Sequence, residues 1–363
     1  MATDRDEIVA LLTQLNRAFT PTKWTTPLGL PRHRALLAEW LRTGDGAPYR
    51  EPFEFPECDP GPVVELLDQL RVAAEGLPAE LRPLVDAHVE SVSGHLAAVV
   101  SRDDALLSAW SEADTGLPTA EVQAEARRIL AAPVGPDEPT PLGAEDLRAA
   151  VEGALRRHEI VGWRVELDPG MTAMASVNGG LSRIRVRSDA VLSEHELHRL
   201  VAHEVGGHVL RWENARRQRE PLAAFPFANG AADEEGLAAL REREHGLESA
   251  ENLRRYAARV LGVAELHRRD LMSLARFLNE FLDPDAAAEL ALRLRRGIVD
   301  PSSPGGITKD HGYLSGVLRL AAMSADDIRL LRATKWGSRH LDVARQLRAE
   351  GAISTTTLME YQP

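Results

Sequence analysis

The chain has 363 residues, of which 44% are hydrophobic and 27% charged, a composition typical of globular proteins. Its formal net charge of -12 argues against a protein that binds nucleic acid through phosphate contacts, so we expect no nucleic-acid partner. The single cysteine, Cys58, excludes an intramolecular disulfide and a thiolate metal site.

The sequence has none of the features of an exported or membrane-spanning protein. Its first residues include acids where a secretory signal would have a basic start. No segment approaches the roughly 18 consecutive apolar residues that a membrane span needs. We therefore expect a cytoplasmic protein without a membrane partner. The basic residues are almost all Arg, with Lys only at positions 23, 309 and 335, which is typical of a GC-rich bacterial genome.

Apolar periodicity predicts that the first third of the chain is helical. The predicted helices cover about 4–17, a segment with Leu36, Leu37 and Leu41, and then about 62–76, 78–101, 103–112 and 118–132. The segment 133–141, with four prolines, is the best candidate for a linker. We therefore predict a helical N-terminal region, 1–135, followed by a second domain, 136–363.

The period of the pattern changes after a predicted helix at about 144–158. Residues 163–167 and 182–187 alternate between apolar and polar side chains, and Asn178-Gly179-Gly180 between them is a hairpin signal. Helices dominate again from Ser193 to about 350, and 353–361 is predicted to be a tail or a short strand. The order predicts an α+β fold, predominantly helical, with a small antiparallel sheet.

A metal-binding pattern lies on the helix that begins at Ser193, the predicted N-cap. Residues 203–208 read HEVGGH, an HExxxH pattern one residue longer than the HExxH of zinc peptidases. On a regular helix, residues five apart differ by about 140° around the axis, against about 40° for residues four apart. We therefore predict a π-type widening between Val205 and His208, where glycines tolerate distortion, that returns His203 and His208 to one face.

A third ligand is expected from a second helix that begins near residue 233, where the sequence reads DEEGLA. Glu235 in this segment is the candidate, because a peptidase zinc site has three protein ligands and one open position for water. Glu204 is better placed as the base that takes a proton from zinc-bound water. Glu242 lies seven residues after Glu235 on the same helix face and could orient a ligand, the alternative being a solvated acid.

The same residues are also compatible with two other classes of function. Two histidines and one carboxylate also hold Fe(II) in non-haem oxygenases, which metal content and oxygen dependence would distinguish. A non-catalytic zinc-containing module that binds a peptide partner is the other alternative. Structural zinc sites usually have four protein ligands, and only three candidates are found here.

HEVGGH followed by EEGLA resembles the microtubule-associated tyrosine carboxypeptidase family, which includes bacterial flavohemoglobin expression-modulating QEGLA-motif proteins. Residues 183–187 before the metal helix and TKDHGYL at 308–314 also resemble family segments. The resemblance implies a zincin-like metallopeptidase core that removes a C-terminal aromatic residue, with Zn²⁺ as cofactor. His203 and His208 then carry over as ligands, Glu204 as general base and Glu235 as third ligand.

The same resemblance sets the expected substrate, the C-terminus of a peptide or protein that ends in a Tyr- or Phe-like residue. One departure is Glu234, which stands where the family motif has Gln. The chain shows no segment resembling a tubulin-binding extension, so tubulin is not the expected substrate. The sequence does not indicate the oligomeric state.

A carboxypeptidase must bind the free carboxylate of its substrate, and the segment 296–313 offers suitable groups. Arg296 could clamp the carboxylate bidentately and Lys309 could add a point charge. Tyr313 could donate its hydroxyl to the developing oxyanion. The alternative is a local ion pair between Lys309 and Asp310, with Tyr313 packed in the core.

A second candidate for substrate binding is Arg185, in the middle of the predicted strand 183–187. If this strand lies at a sheet edge, an extended peptide could pair with it. A solvated outer face is the alternative for these arginines.

Overall fold

The structure is a computed structural model that describes residues 4–44, 52–133, 141–169, 171, 173–356 and 358–363. Within these residues helices dominate and two small sheets are present, which confirms the α+β, predominantly helical prediction. None of the described helices is long and apolar enough to cross a lipid bilayer.

The helices occur throughout the described chain. They are α1 Asp4–Ala18, α2 Pro21–Thr25, α3 Leu30–Thr43, α4 Gly61–Ala74, α5 Arg82–Ser101, α6 Asp104–Thr115, α7 Ala120–Ala131, α8 Ala144–Arg157, α9 Glu194–Val201, α10 Leu210–Arg216, α11 Ala231–Glu244, α12 Ala250–Glu265, α13 Leu271–Leu278, α14 Pro284–Leu294, α15 Gly312–Ala321, α16 Ala325–Ala333 and α17 Leu341–Ala349. A π-helical segment, Ala202–Val209, joins α9 to α10. Every helix predicted in the first third is present. The described residues of the predicted tail, 353–356 and 358–361, contain neither helix nor strand.

The chain divides into two compact units. Unit 1 comprises Met1–Pro133, Phe227–Ala232 and Leu253–Ser315, and unit 2 comprises Val134–Pro226, Asp233–Asn252 and Gly316–Pro363. The predicted linker lies mostly in residues 134–140, outside the described residues. The predicted domain division, 1–135 and 136–363, therefore stays a prediction.

Unit 1 is helical, and its helices bury one apolar face each. Leu37 of α3, Leu274 and Leu278 of α13 and Leu294 of α14 belong to one core and are almost fully buried. Their spacing within each helix, four residues in α13, follows the helical period that the sequence shows. Asp103 begins α6 by accepting a hydrogen bond from the backbone N–H of Leu106 at 2.9 Å, as expected of an N-cap.

Unit 2 contains the sheets. The strands are β1 Leu142–Gly143, β2 Arg164–Asp168, β3 Ala175–Asn178, β4 Arg183–Arg187 and β5 Val191–Leu192. The three-stranded sheet has the order β2-β4-β3, in which β4 pairs antiparallel with β3 and parallel with β2, and β1 pairs antiparallel with β5.

The prediction of a purely antiparallel sheet is therefore wrong. The turn at Asn178–Gly180 was correctly identified, but it joins β4 to β3, a strand that sequence reasoning missed. The alternating segment 163–167 becomes β2, which lies on the other side of β4 and runs parallel to it. Alternation reveals which residues form a strand, but it does not identify the neighbouring strand.

The core of unit 2 places the helix of the HExxxH segment against this sheet. Ile184 and Val186 point to the buried face of β4, and Leu147 and Val151 of α8 belong to the same core. Val205, from the π-helical segment, is fully buried in that core. The HExxxH segment is thus fixed by apolar packing on one side, which leaves its polar residues to face another element.

Candidate metal centre

The helix that carries the HExxxH pattern has the predicted irregularity. The hydroxyl of Ser193 caps α9 by accepting a hydrogen bond from the N–H of Glu196 at 3.2 Å. The chain then continues as the π-helical segment, in which the N–H of Leu210 donates to the carbonyl of Val205, five residues earlier. This widening confirms the prediction made from the five-residue spacing.

The two glycines of the pattern are explained by close packing. A Cβ on Gly207 would lie 2.6 Å from Cβ and 2.7 Å from Cα of Ala238 in α11. A Cβ on Gly206 would lie 2.7 Å from Cγ of Tyr361, a buried residue of the tail. Neither glycine has positive φ. The pair therefore admits α11 and an aromatic ring to the metal helix, which sequence reasoning did not foresee.

Three side chains converge between this helix and α11. The imidazole rings of His203 and His208 are 4.9 Å apart. Oε2 of Glu235, on α11, lies 3.4 Å from Nε2 of His203 and 3.8 Å from Nε2 of His208. The three potential ligand atoms lie within 4.8 Å of one another, and they form the one group of this kind in the described residues.

This donor set fits a zinc ion. Zinc in proteins takes imidazole nitrogens and carboxylate oxygens at about 2.0–2.2 Å, which puts tetrahedral ligand atoms roughly 3.3 Å apart. Oε2 of Glu235 is buried and has no hydrogen-bond partner among the described residues. A buried carboxylate oxygen without a donor is costly unless a cation satisfies it. His203, His208 and Glu235 are therefore the residues that could hold a metal.

Each imidazole is oriented by a carboxylate on its other nitrogen. Nδ1 of His203 donates to Oε1 of Glu242 at 2.6 Å, and Nδ1 of His208 donates to Oε1 of Glu234 at 2.7 Å. A carboxylate can only accept here, so each Nδ1 carries a proton, and Nε2 is the nitrogen that faces Glu235 and could bind a metal. Glu242 thus has the orienting position that its helical spacing suggested, whereas the role of Glu234 was not predicted.

A buried network fixes the carboxylate on His203. Arg199 donates to Oε1 of Glu242 at 2.7 Å, and Asn252 donates to its Oε2 at 3.1 Å. Arg199 also pairs with both oxygens of Glu196, at 2.6 and 2.8 Å. Glu242 is 1% exposed, so its charge is balanced by protein groups and not by water.

A second network fixes the carboxylate on His208. Glu234 forms ion pairs with Arg211 and Lys335. Arg211 is 2% exposed and also donates to the carbonyls of Leu331 and Thr334, at 2.9 and 2.8 Å. Lys335 was visible in the sequence as one of three lysines, but no local pattern tied it to residue 234.

These contacts shift the pKa values of two of the candidate ligands when no metal is bound. Burial acts to lower the pKa of His203, but its contacts with Glu235 and Glu242 raise it to about 10. Burial acts to raise the pKa of Glu235, but the neighbouring His203 and His208 lower it to about 2. The carboxylate of Glu235 is thus charged at neutral pH.

The pKa of Glu204 is raised, in contrast to that of Glu235. Glu204 is 6% exposed, and burial raises its pKa, assisted by the charge of Glu235 and opposed by the two histidines. A carboxylate with a raised pKa is a stronger base than an exposed one. Glu204 lies beside the three candidate ligands and is more basic than an exposed carboxylate. A proton acceptor needs both properties.

The predicted docking strand is corrected by the sheet order. β4, which contains Arg185, is the central strand and is hydrogen-bonded on both sides, so it has no free edge for a peptide. Arg185 is partly exposed and pairs with Asp168 of β2 at 3.1 Å. The argument for Arg185 as a substrate-binding residue is therefore wrong.

The other predicted substrate residues lie in unit 1. Asp310 is paired bidentately with Arg293, at 2.7 and 2.8 Å, and Tyr313 stacks on Tyr256 with ring centroids 5.0 Å apart. Tyr313 is partly exposed, as are Arg296 and Lys309. The role of Arg296, Lys309 and Tyr313 in binding substrate stays a prediction.

Comparisons with known proteins agree with the sequence motif. The family described as microtubule-associated tyrosine carboxypeptidase matches residues 53–361. The rat protein microtubule-associated tyrosine carboxypeptidase 1 is 29% identical over 174 residues, covering 46% of this chain and 36% of the rat protein. The mouse and human proteins of that name are each 28% identical over 177 residues, with the same coverage. The match thus spans about a third of these relatives. The family match spans most of the chain, which therefore belongs to the microtubule-associated tyrosine carboxypeptidase family.

Proposed function

We propose that the protein is a zinc-dependent carboxypeptidase that removes an aromatic, tyrosine-like residue from the C-terminus of a peptide or protein. The observation that carries the proposal is the convergence of Nε2 of His203, Nε2 of His208 and Oε2 of Glu235. The names of the related mammalian proteins supply the reaction class. Tubulin is not part of the proposal, because the match covers 36% of those proteins.

In the proposed reaction, His203, His208 and Glu235 hold the metal, and Glu234 and Glu242 keep the two imidazoles oriented. Zinc bound there would polarise the scissile carbonyl and lower the pKa of water. Glu204 accepts a proton from the attacking water and returns it to the leaving amine. The raised pKa of Glu204 supports both steps, because it must gain and then lose that proton.

We also propose that unit 2 has a zincin-like core. The support is the placement of an HExxxH helix against a small sheet, with the third ligand supplied by a following helix. In this arrangement α11 is the ligand-bearing partner of the metal helix. The close approach at Gly207 and Ala238 brings the two helices together.

The proposed function is tested with a library of peptides that differ in their last residue, each as a free acid and as a C-terminal amide. Mass spectrometry of products from the zinc-loaded protein should show loss of a single C-terminal Tyr or Phe from the free acids. The amidated peptides should stay intact. His208→Ala serves as the control without a complete ligand set. Cleavage at internal bonds, or equal cleavage of amides, would replace the carboxypeptidase assignment by an endopeptidase.

A further inference from the structure

A small cavity lies within unit 2, between elements that also carry candidate metal ligands. Its lining includes Gly206 and Gly207 of the π-helical segment and Leu237 and Arg241 of α11. Residues of α10 and α16 and Met359 of the tail also line it. The cavity has room for about one water-sized molecule or ion. Its occupant is therefore small, and the charges of the lining side chains indicate its chemistry.

The lining of this cavity is positively charged. Three of its residues are arginines, Arg211, Arg241 and Arg332, and no acidic residue is found among the described residues that line it. Arg211 is 2% exposed and Arg241 is 6% exposed. The side chain of Arg332 is 13% exposed. Because water screens such buried charges weakly, the positive potential in the cavity attracts an anion.

The neighbouring carboxylates compensate Arg241 and Arg332 only in part. The two arginines share Glu244, whose Oε2 accepts from Nη1 of Arg241 at 3.0 Å and from Nη2 of Arg332 at 2.8 Å. Arg241 also pairs with Glu360 at 3.2 Å, but the side chain of Glu360 is 50% exposed, so water screens its charge. Burial, and then the charge of Arg332, lower the pKa of Arg241. The two guanidinium groups thus repel each other in a buried place.

Both arginines retain N–H donors for a further acceptor. Nε of Arg241 is buried and has no hydrogen-bond partner among the described residues. A Cβ on Gly206 would lie 3.1 Å from Cγ of Arg241, so this side chain passes close to a glycine that lines the cavity. Within the part of the chain that the structure describes, Arg332 forms hydrogen bonds through Nη2 alone. Buried guanidinium N–H groups without an acceptor are costly, so an acceptor in the cavity is favoured.

We propose that this cavity is a binding site for one small halide-type anion, chloride, held by Arg241 and Arg332. A water molecule would accept from the same donors but would leave the positive charge uncompensated, whereas chloride supplies both an acceptor and a negative charge. Phosphate, sulfate and carboxylates are larger than the space that the cavity offers. The site does not depend on the proposed enzyme function. Bound chloride should stabilise the folded protein, because the unfolded chain does not contain the site.

The test compares anions by thermal unfolding of the full-length protein after treatment with a chelator, so that chloride cannot bind to a metal ion. Sodium chloride replaces sodium gluconate stepwise at constant ionic strength, which keeps the screening of surface charges unchanged. The unfolding temperature should rise along a saturating curve as chloride increases. Bromide should act as chloride does, and sulfate should give no saturating rise.

Arg332→Gln removes one of the two guanidinium groups that hold the anion. It should weaken the apparent affinity for chloride about 10- to 100-fold, as expected for the loss of charge-assisted hydrogen bonds. The matched control is Arg329→Gln on the same helix. Arg329 pairs with Asp326 at 3.3 Å, its side chain is 52% exposed, and it is not among the lining residues. This variant should keep the chloride dependence of the wild-type protein.

Crystals of the wild-type protein grown with bromide test the site without any variant, should Arg332→Gln fail to fold. Anomalous diffraction should locate bromide in the cavity, in contact with Arg241 and Arg332. An unfolding temperature that is the same in chloride and in gluconate, or a cavity that holds water alone in the bromide crystals, would overturn the site. A saturating chloride effect that folded Arg332→Gln leaves unchanged would also overturn it, because the anion would then bind elsewhere.

Discussion

At the scale of single residues, the candidate metal centre depends on carboxylates that do not themselves face the metal position. Glu242 orients His203, and its removal would also leave Arg199 without one of its two carboxylate partners. Glu242→Gln should therefore weaken zinc binding by about 10- to 100-fold, as is usual for groups that orient a ligand. Competition with a chromophoric chelator measures this. Glu244→Gln, on the same helix and bonded to Arg332, is the control. Equal zinc affinity of the two variants would contradict the orienting role.

Glu204 is expected to act on protons and not on the metal. Glu204→Gln should keep the fold and bound zinc but lose peptide hydrolysis, because an amide of the same shape cannot accept the proton. Elemental analysis and a peptidase assay on the same sample check both statements. Glu194→Gln, at the exposed start of α9, should behave as wild type. Near-normal turnover by Glu204→Gln would remove it from the role of base.

The residues of the candidate centre were predictable where a local pattern names them. The sequence reveals His203, Glu204 and His208 through their spacing, and Glu235 through the acidic helix start. The partners of Glu234 could not be predicted in the same way. Lys335 is 101 residues away in sequence, and only the packing of α16 and its following loop brings it to Glu234. A single sequence carries no signal for such a pair.

At the scale of helices and strands, the two glycines of the metal helix should differ in their tolerance of a side chain. The Cβ of an alanine at 207 would meet the backbone of Ala238, which cannot move without displacing α11, whereas at 206 it would meet an aromatic ring. Gly207→Ala should therefore destabilise the protein by about 1–3 kcal/mol, the range for overpacking, and more than Gly206→Ala.

Urea unfolding of the two variants measures this difference. Gly153→Ala on α8 is the matched control, because its Cβ would meet only the ends of two arginine side chains, at 3.7 and 3.8 Å. Removal of a helical glycine there should be neutral or stabilising. A smaller loss of unfolding free energy for Gly207→Ala than for Gly206→Ala would contradict the packing argument.

The elements themselves were largely predictable, and the pairing of the strands was not. Helical periodicity identified the helices because each buries one face. The π-helical segment followed from ligand spacing, since two imidazoles must share one face. The strand β3 escaped notice because four residues, ASVN, are too short to show alternation. Because β3 lies between β2 and the turn in the sequence, β2 runs parallel to β4, and the observed sheet is mixed where an antiparallel one was predicted.

At the scale of the whole molecule, the metal-free protein should lose stability on acidification. The pKa of Glu235 falls from 4.5 to about 2 on folding, so its contribution to stability is present above 4.5 and is lost as pH falls toward 2. The pKa of His203 rises from 6.5 to about 10, so its contribution is present below 6.5 and is lost as pH rises toward 10.

Urea unfolding of the metal-free protein between pH 3 and pH 10 tests both predicted losses of stability, the one at acidic pH and the one at basic pH. The free energy of unfolding should decrease toward each end of this range, and Glu235→Gln should reduce the decrease on the acid side. A free energy of unfolding that increases as pH falls from 5 to 3 would contradict the assignment.

The composition of unit 1 could not be predicted from the sequence, because this unit combines segments that are far apart in the chain. The composition of 133–141 predicts a linker, but it does not reveal that Leu253–Ser315 forms one compact unit with the first 133 residues. Packing between distant segments depends on side chains that no local window contains. Ser111 and Thr308 illustrate this, because the N–H of Thr308 donates to the hydroxyl of Ser111 at 2.8 Å although the two residues are 197 positions apart in the sequence.

We propose that one zinc ion, held by His203, His208 and Glu235, activates removal of a C-terminal residue. The most direct test is to add zinc stepwise to chelator-treated protein and measure release of tyrosine from a free-acid peptide. We expect no release of tyrosine without metal, and a rate of release that rises to a plateau at one zinc per chain. Full activity in the chelated protein, or no recovery of activity after zinc is bound, would contradict it.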